Sequence, residues 1–153
     1  GCGDGERTLA RLDGTRAVGL DFSRRGLELA QQNVPGAALA QGDMVDIPLA
    51  DGTVDGVTAY HAVFHVDRDR HADVYREFAR ILRPGGRVLM TVGTSAYQQV
   101  RSGWMGGRMF FSTPGRERTL AQLREAGLEL AWDRNVDDPL GSSAYFMCAK
   151  LPE

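Results

Sequence analysis

The start of the chain constrains its fold most, because three glycines alternate there with small residues in the run Gly1-Cys2-Gly3-Asp4-Gly5. A short apolar run at 17–20 follows and ends at Asp21. Glycines in such a turn let the backbone approach a ligand that a Cβ would push away. An acid at the tip of the next strand accepts hydrogen bonds from the two ribose hydroxyls. The pattern therefore predicts a nucleoside-binding α/β sheet.

Helical and strand-like segments alternate along the chain, which predicts one doubly wound, mostly parallel sheet with helices on both faces. The helices are expected at 6–12, 24–33, 70–82 and 116–126, and the strands at 17–21, 37–41, 54–60, 88–92, 128–136 and 144–149. The last two strands are joined by a short loop with a turn at 137–141. They are therefore expected to form a terminal antiparallel hairpin at the sheet edge.

Local signals predict several details of these elements. Ser23 is expected to cap the second helix. The run Arg83-Pro84-Gly85-Gly86 is expected to end the third helix and turn the chain. Apolar residues alternate with others over 128–132, which predicts a half-buried strand.

An apolar strand normally leads into a glycine turn of this kind, and none precedes Gly1. We therefore expect that the first central strand is missing and that 1–153 is a single domain, incomplete at its N-terminus. A sheet without that strand leaves two neighbouring edges unpaired. The chain made alone is then expected to be unstable or to bind its ligand poorly.

Composition excludes some classes of partner. The net charge of −2 gives no polycationic footprint, which argues against nucleic acid. No apolar run approaches the length of a transmembrane helix, so no membrane partner is expected. Cys2 and Cys148 lie at opposite ends of the chain and match no metal-binding spacing. They predict free thiols and a reducing, cytoplasmic location.

Five segments in order resemble class I S-adenosylmethionine-dependent methyltransferases. They are the glycine turn at 1–5, the acidic strand at 18–23, the turn at 41–44, the strand and loop at 55–66, and the helix, turn and strand at 78–89. The resemblance implies a Rossmann-like methyltransferase fold and S-adenosylmethionine as cofactor. The implied reaction is in-line transfer of its methyl group to an O, N, S or C atom of a small-molecule acceptor.

Two other functions are alternatives. A nicotinamide-dependent oxidoreductase predicts GxGxxG, whereas this chain has GxGxG with Glu6 at the next position, and it does not predict the terminal hairpin. A cofactor-fold module that is inactive and only binds partners is the second alternative. The glycines and Asp21 argue against it.

The resemblance implies that eight residues bind the cofactor: Gly1, Cys2, Gly3, Asp21, Phe22, Asp43, Met44 and Tyr60. The first three contact its methionine end through backbone groups, and Asp21 binds both ribose hydroxyls. Phe22 and Met44 enclose the adenine, whose amino group donates to Asp43, and Tyr60 offers its backbone carbonyl. A solvated strand end or a helix cap is the alternative role for Asp21, and core packing is the alternative for Met44.

His61 and His65 are the candidate catalytic residues, since the loop they occupy lies beside the transferring methyl in relatives and imidazole titrates near neutrality. Structural support of the loop is the alternative role for His65. Metal binding is not expected, because Ala62 stands where the HExxH pattern requires Glu. His71 is expected to be exposed in the first turn of the long helix. Asp67 and Asp69 are expected to be helix caps rather than a carboxylate pair.

The segment 94–114 is a long connection rich in aromatic residues. It holds four of the chain's twelve aromatic residues, Tyr97, Trp104, Phe110 and Phe111. A connection of this length is usually functional, and its aromatic and Met side chains are expected to line an apolar substrate pocket. A flap over the core and a homodimer contact are the alternatives.

Overall fold

The structure is a computed structural model that describes residues 1–12, 14–104, 106–137 and 143–153, with only the backbone of Trp104. The chain divides into two compact units, Gly1–Leu49 and Ala50–Glu153. Both combine helices with strands, so the expected α/β class is confirmed. The one mostly parallel sheet that was expected is not seen, because the described strands lie in three sheets and three of their five pairings are antiparallel. No helix in the described ranges is long and apolar enough to cross a membrane.

The first unit is a two-stranded parallel sheet with one α-helix. Its elements are a 3₁₀ turn at Leu9–Arg11, strand β1 at Val18–Asp21, helix α1 at Arg24–Asn33 and strand β2 at Ala38–Gln41. Strands β1 and β2 pair in register from Val18 opposite Ala38 to Asp21 opposite Gln41. Helix α1 begins where predicted because the Ser23 side chain accepts a hydrogen bond from the Gly26 amide at 3.1 Å.

The helix predicted at 6–12 is wrong in extent, because only the 3₁₀ turn Leu9–Arg11 forms there. Thr8, at the position before this turn, makes no capping hydrogen bond with its side chain. A short helical segment without a cap gains too few hydrogen bonds to offset the cost of nucleation. Leu9 is nevertheless buried.

The second unit is a four-stranded mixed sheet with two α-helices and a separate β-hairpin. Its elements are strand β3 at Val54–Ala59, 3₁₀ turns at Val63–His65 and Arg68–Arg70, helix α2 at His71–Ile81, strand β4 at Leu82–Thr91, strands β5 at Ala96–Trp104 and β6 at Gly107–Pro114, helix α3 at Arg116–Glu125, and strands β7 at Glu129–Asp137 and β8 at Ser143–Lys150. The sheet order is β3-β4-β8-β7.

The strand directions follow from the connections. Strands β3 and β4 are parallel and are joined through α2, whereas β8 is antiparallel to both β4 and β7. The antiparallel pair predicted for the last two strands is therefore confirmed. The turn predicted at 137–141 lies outside the described residues from 138 onward. Val88 and Met90 of β4 and Met147 and Ala149 of β8 are almost fully buried and form the centre of the core.

Helix α2 passes into β4 without a connecting residue. The predicted turn at 83–86 is wrong in this respect, since these residues already belong to β4. Gly85 keeps the positive φ of 78° that favours glycine, and the pairing with β3 is irregular between Val54 and Gly56. Proline and glycine at this place therefore produce an irregular strand start rather than a loop.

Strand β7 does not have the half-buried pattern predicted for it. Leu130 and Trp132 are 36% and 37% exposed, and burial on this segment is confined to Leu128, just before the strand. The register with β8 shifts between Leu130 and Trp132, and such an irregularity breaks the alternation of faces along a strand.

The segment 94–114 folds into an antiparallel hairpin of β5 and β6, which the sequence analysis did not predict. The hairpin is anchored at its base, where the Arg116 amide donates to the Thr94 carbonyl at 3.1 Å. Gly93 lies against Thr113 so closely that a Cβ on it would be 2.6 Å from the threonine side chain. This close approach explains the small residue between β4 and the hairpin.

Candidate functional site

The glycine turn and Asp21 lie in direct contact. The Gly3 amide donates to Asp21 Oδ2 at 2.7 Å, and the Ser23 amide donates to Asp21 Oδ1 at 2.9 Å. The Gly1 nitrogen and the Cys2 amide both donate to the Leu20 carbonyl, at 2.7 and 2.8 Å. The carboxylate that ends β1 thus holds the turn against the start of α1, and Asp21 is only 7% exposed.

The backbone at Gly3 is open to an incoming group. Gly3 has φ of 54°, and a Cβ built on it would meet no atom of the described part of the chain within 4 Å. On the helix side, a Cβ on Gly26 would approach the Gly3 carbonyl oxygen to 3.4 Å. The turn is therefore bare backbone beside the first turn of α1, where free amide groups favour negative charge.

The ends of β1 and β2 bring the other cofactor candidates of the first unit next to this turn. The Gly42 amide donates to the Asp21 carbonyl at 3.1 Å, and the Gln41 side-chain amide donates to the Phe22 carbonyl at 3.1 Å. Phe22 is 73% exposed, so its ring is available to a ligand. Asp43 is exposed and Met44 is half-buried. Sequence reasoning missed Gln41, because its contact depends on the register of the two strands.

Cys2 contributes to the glycine turn through its backbone amide, which donates to the Leu20 carbonyl. Burial raises the pKa of its thiol, so the sulfur stays protonated and uncharged. The Sγ atom packs near Gly19, where a Cβ would lie 3.0 Å from it. Both Cys2 and Cys148 are free thiols, as predicted.

In the second unit, the loop after β3 carries His61 in an uncommon conformation. His61 has φ of 50° and is the one non-glycine residue in the described ranges with positive φ. Its amide donates to Thr91 Oγ1, at the end of β4, at 2.7 Å. Such backbone strain persists only where the surroundings fix it, and it clusters at functional sites.

His65 is fixed in one orientation by the hairpin. Its Nδ1 lies 2.8 Å from the Phe110 carbonyl oxygen on β6. Since a carbonyl only accepts, Nδ1 carries a proton, and in the tautomer with a single ring proton Nε2 is the acceptor. The Arg68 amide also donates to Ser112 Oγ on β6 at 2.8 Å, so two hydrogen bonds tie this loop to the hairpin.

Six rings of the second unit form an imidazole–aromatic cluster: Tyr60, His61, Phe64, His65, Phe111 and Phe146. The Phe64 ring lies 5.7 Å from His61 and 4.8 Å from His65, and it stacks on Phe111 at 5.8 Å. The Tyr60 ring stacks on Phe146 at 5.9 Å. Phe111 and Phe110 were among the predicted pocket aromatics, whereas Phe146 and the Tyr60 ring were missed. Their meeting depends on the pairing of Thr91 with Phe146.

His71 is not exposed as predicted, because only 2% of it is accessible. It continues the apolar stripe of α2 that includes Tyr75 and Phe78, a signal that the spacing already carried. Its Nε2 donates to the Val66 carbonyl at 3.0 Å, and its buried Nδ1 has no hydrogen-bond partner among the residues that the structure describes. Burial lowers the pKa of His71, so the ring is neutral.

Asp67 is a helix cap, as predicted, because its side chain accepts from the Asp69 amide at 3.0 Å at the start of a 3₁₀ turn. Asp69 lies in the first turn of that helix. In the part of the chain that the structure describes, no group of three or more His, Cys, Asp or Glu side chains is arranged to hold a metal ion.

Known proteins are similar to this chain in sequence and in fold. The family described as "Methyltransferase domain" matches residues 1–90. The methyltransferase GfsG of Streptomyces halstedii is 38% identical over 97 residues, which are 58% of this chain and 34% of that protein. The chain spans about a third of the length of the curated relatives it matches.

Solved structures of methyltransferases are similar to this chain in fold. An S-adenosylmethionine-dependent methyltransferase from Methanosarcina mazei superimposes with a TM-score of 0.83 at 14% identity, covering 100% of this chain and 91% of that one. The 1,6-didemethyltoxoflavin-N1-methyltransferase of Burkholderia thailandensis superimposes with a TM-score of 0.72 at 19% identity, covering 100% and 69%. At these identities the likeness establishes the fold. Since the family matches more than half of the sequence, this chain belongs to the methyltransferase domain family, and the resemblance to class I S-adenosylmethionine-dependent methyltransferases is confirmed.

Proposed function

We propose that this chain binds S-adenosylmethionine and transfers the methyl group to a small-molecule acceptor. The observation that carries the proposal is the contact between the bare turn at Gly3 and the Asp21 carboxylate at 2.7 Å. This contact puts an open stretch of backbone and an acid at the end of one parallel strand. That combination suits a ligand with a nucleoside and a charged tail.

The residues of the first unit fit such a ligand. Asp21 uses one lone pair on each oxygen for backbone amides, and a carboxylate has about four acceptor positions in all. The remaining positions are left for ribose hydroxyls. The exposed Phe22 ring and the half-buried Met44 offer apolar contact to adenine, and Asp43 offers an acceptor for its amino group. Gly1, Cys2 and Gly3 offer backbone groups to the methionine end.

Residues of the second unit would handle the acceptor. When bound, S-adenosylmethionine supplies a methyl group on a positively charged sulfur, which is a good leaving group. The main tasks left to the protein are alignment and exclusion of water. Nε2 of His65, left free to accept by the Nδ1–H bond to Phe110, is suited to take a proton from the attacking atom. We also assign His61 to contact with the acceptor, because of its strained backbone. We assign Tyr60 to a contact of its backbone carbonyl with the cofactor.

Relatives support a small-molecule acceptor. The Burkholderia thailandensis neighbour is described with bound 1,6-didemethyltoxoflavin and S-adenosylhomocysteine. An O-methyltransferase, resE of Aspergillus sclerotiorum, is 33% identical over 97 residues. The homodimer, the cytoplasmic location and the absence of nucleic-acid and membrane partners stay predictions.

Titration calorimetry with S-adenosylmethionine tests the cofactor site. Asp21→Ala is expected to weaken binding by about 1–3 kcal/mol, the scale of hydrogen bonds to a charged group. Asp46→Ala, which removes an exposed acid of the same unit, is the matched control and is expected to bind normally. Circular dichroism checks that both variants are folded. Equal affinity of a folded Asp21→Ala variant and the unaltered protein would contradict the ribose assignment.

Turnover distinguishes the enzyme from a module that only binds. The protein is incubated with methyl-labelled S-adenosylmethionine and a panel of phenols, amines, thiols and acidic carbon nucleophiles. Acceptor-dependent formation of S-adenosylhomocysteine supports the transferase. Tight cofactor binding without turnover on any acceptor favours the binding module.

A further inference from the structure

We propose that Arg101 recognises an acidic group on the acceptor, and that the acceptor is therefore a planar aromatic compound bearing an anion such as a carboxylate. This inference rests on the proposed methyl transfer, because it names the class of acceptor. It follows from the charge of the β5–β6 hairpin, the geometry of Arg101, and the rings beside it.

The hairpin is free of acidic residues. None of the chain's 20 Asp and Glu residues lies between 94 and 114, and Arg101 and Arg108 are the only charged residues there. In a chain with net charge −2, this segment therefore carries a local charge of +2. Among the described residues, Arg101 forms no salt bridge with a carboxylate, in contrast to Arg80 and Arg116.

Arg101 is held in place although no acid pairs with it. Its guanidinium carbon lies 5.1 Å from the centre of the Phe111 ring. When the Gln99 amide turns its oxygen toward the guanidinium, that oxygen accepts from Nε and Nη2 of Arg101 at 2.9 Å. These two contacts fix the guanidinium of Arg101. One N–H group on Nη1 and one on Nη2 remain at its outer end as hydrogen-bond donors. Two parallel N–H groups are the arrangement that carboxylates bind best.

The face of the hairpin that carries Arg101 is also the face of the aromatic cluster. In the β5–β6 register, Gln99 lies opposite Phe111 and Arg101 opposite Met109, so these side chains share one face. Arg108 lies opposite Ser102, one position along, and therefore on the other face. The two arginines thus differ in what surrounds them although they belong to the same hairpin.

Phe111 connects Arg101 to the candidate proton acceptor. The Phe111 ring lies 4.9 Å from the His65 ring and 5.8 Å from Phe64, and both of these side chains are half-buried rather than covered. A flat acceptor stacked on these rings would meet a cation at one side and the hydrogen-bond acceptor Nε2 of His65 at another. An acid and a nucleophilic atom on one planar scaffold match that arrangement.

Two dyes that differ only in charge test the inference. The probes are 8-anilino-1-naphthalenesulfonate, a planar aromatic anion, and N-phenyl-1-naphthylamine, the same ring system without the sulfonate. Fluorescence titration of the unaltered protein is expected to give tighter binding of the anion. Arg101→Gln is expected to weaken binding of the anion at least about tenfold, the scale of a charge-assisted hydrogen bond. Binding of the neutral dye is expected to weaken less than about twofold.

Matched variants complete the design. Arg108→Gln removes the same charge from the other face and is expected to leave both dyes unaffected, and Arg101→Lys is expected to retain part of the preference. Thermal melting checks that each variant is folded. The inference is overturned if Arg101→Gln and Arg108→Gln lose the same affinity for the anion, or if Arg101→Gln loses affinity for both dyes equally. It is also overturned if the unaltered protein does not bind the anion. Calorimetry with S-adenosylmethionine on the same samples separates this failure from failure of the proposed function.

Discussion

At the scale of single residues, Asp21 illustrates how one carboxylate fixes two backbone segments. Its Oδ1 accepts from the Ser23 amide just before α1, while its Oδ2 accepts from the Gly3 amide in the turn. The two bonds use different oxygens, so they do not compete. The role of helix cap falls to Ser23, whose side chain accepts from the Gly26 amide. Removing the carboxylate is therefore expected to loosen the turn as well as the ligand contact.

His71 gives the protein a predictable dependence on pH. Burial lowers its pKa in the folded state, whereas the unfolded residue titrates near about 6.5. Below that pH the unfolded chain binds an extra proton, so stability is expected to fall as pH decreases, by at most about 1.4 kcal/mol per pH unit from this residue. Urea unfolding between pH 5 and pH 8 measures this slope.

His71→Gln is the control for the pH effect. Glutamine keeps an amide that can donate to the Val66 carbonyl but does not titrate. The difference in stability between this variant and the unaltered protein is expected to be constant above pH 7 and to change steadily below about pH 6.5. A difference that does not vary with pH would mean that His71 is not buried as a neutral ring.

At the scale of elements, the sequence predicted what local chemistry determines. Helix α1 starts at the predicted cap because Ser23 and Gly26 are three residues apart. The burial of β7 could not be predicted, because the shift in register between Leu130 and Trp132 depends on its pairing with β8. The hairpin of β5 and β6 was missed because its strands do not alternate regularly. The glycines at 103, 106 and 107 were the available signal.

The joint between β4 and the hairpin is expected to tolerate no added methyl group. A Cβ on Gly93 would lie 2.6 Å from Thr113, so Gly93→Ala must displace the base of β6. Overpacking of this kind costs about 1–3 kcal/mol. Urea unfolding of Gly93→Ala and of Gly36→Ala provides the measurement, since a Cβ on Gly36 would meet no atom within 4 Å. Equal stability of the two variants would contradict the close packing.

At the scale of the whole molecule, the candidate residues of the first unit and those of the second differ in how far the sequence predicts them. The residues of the glycine turn and of the two following strand ends belong to short, continuous motifs, so the sequence identifies them, although the contact of Gln41 with Phe22 depends on the strand register. The aromatic cluster combines residues from the loop after β3 with residues of β6 and β8. Its members meet only through the pairing of strands far apart in sequence. The single-domain organisation stays a prediction beside the two units observed.

The two units are expected to differ in stability against local opening. Strands β4 and β8 are central in a four-stranded sheet and nearly fully buried at Val88 and Met147. Strands β1 and β2 form a sheet of only two strands, which is marginal without further support. Hydrogen exchange followed by mass spectrometry is expected to be slowest in peptides from β4 and β8 and faster in those from β1 and β2.

Ligand addition extends this measurement. S-adenosylmethionine is expected to slow exchange in peptides covering the glycine turn and the end of β1, since a ligand that binds only the folded state suppresses opening. The hairpin peptides at 96–104 serve as the internal reference. Slowing confined to the second unit would contradict the proposed location of the cofactor.

The direct passage from α2 into β4 restricts how this protein can vary in length. Ile81 ends the helix and Leu82 begins the strand, so no spare residue absorbs an insertion or deletion. One extra residue would rotate the helix by about 100° or exchange the two faces of the strand. Homologues that gain or lose residues should therefore do so elsewhere, and a tag or sensor domain inserted after Ile81 should abolish folding.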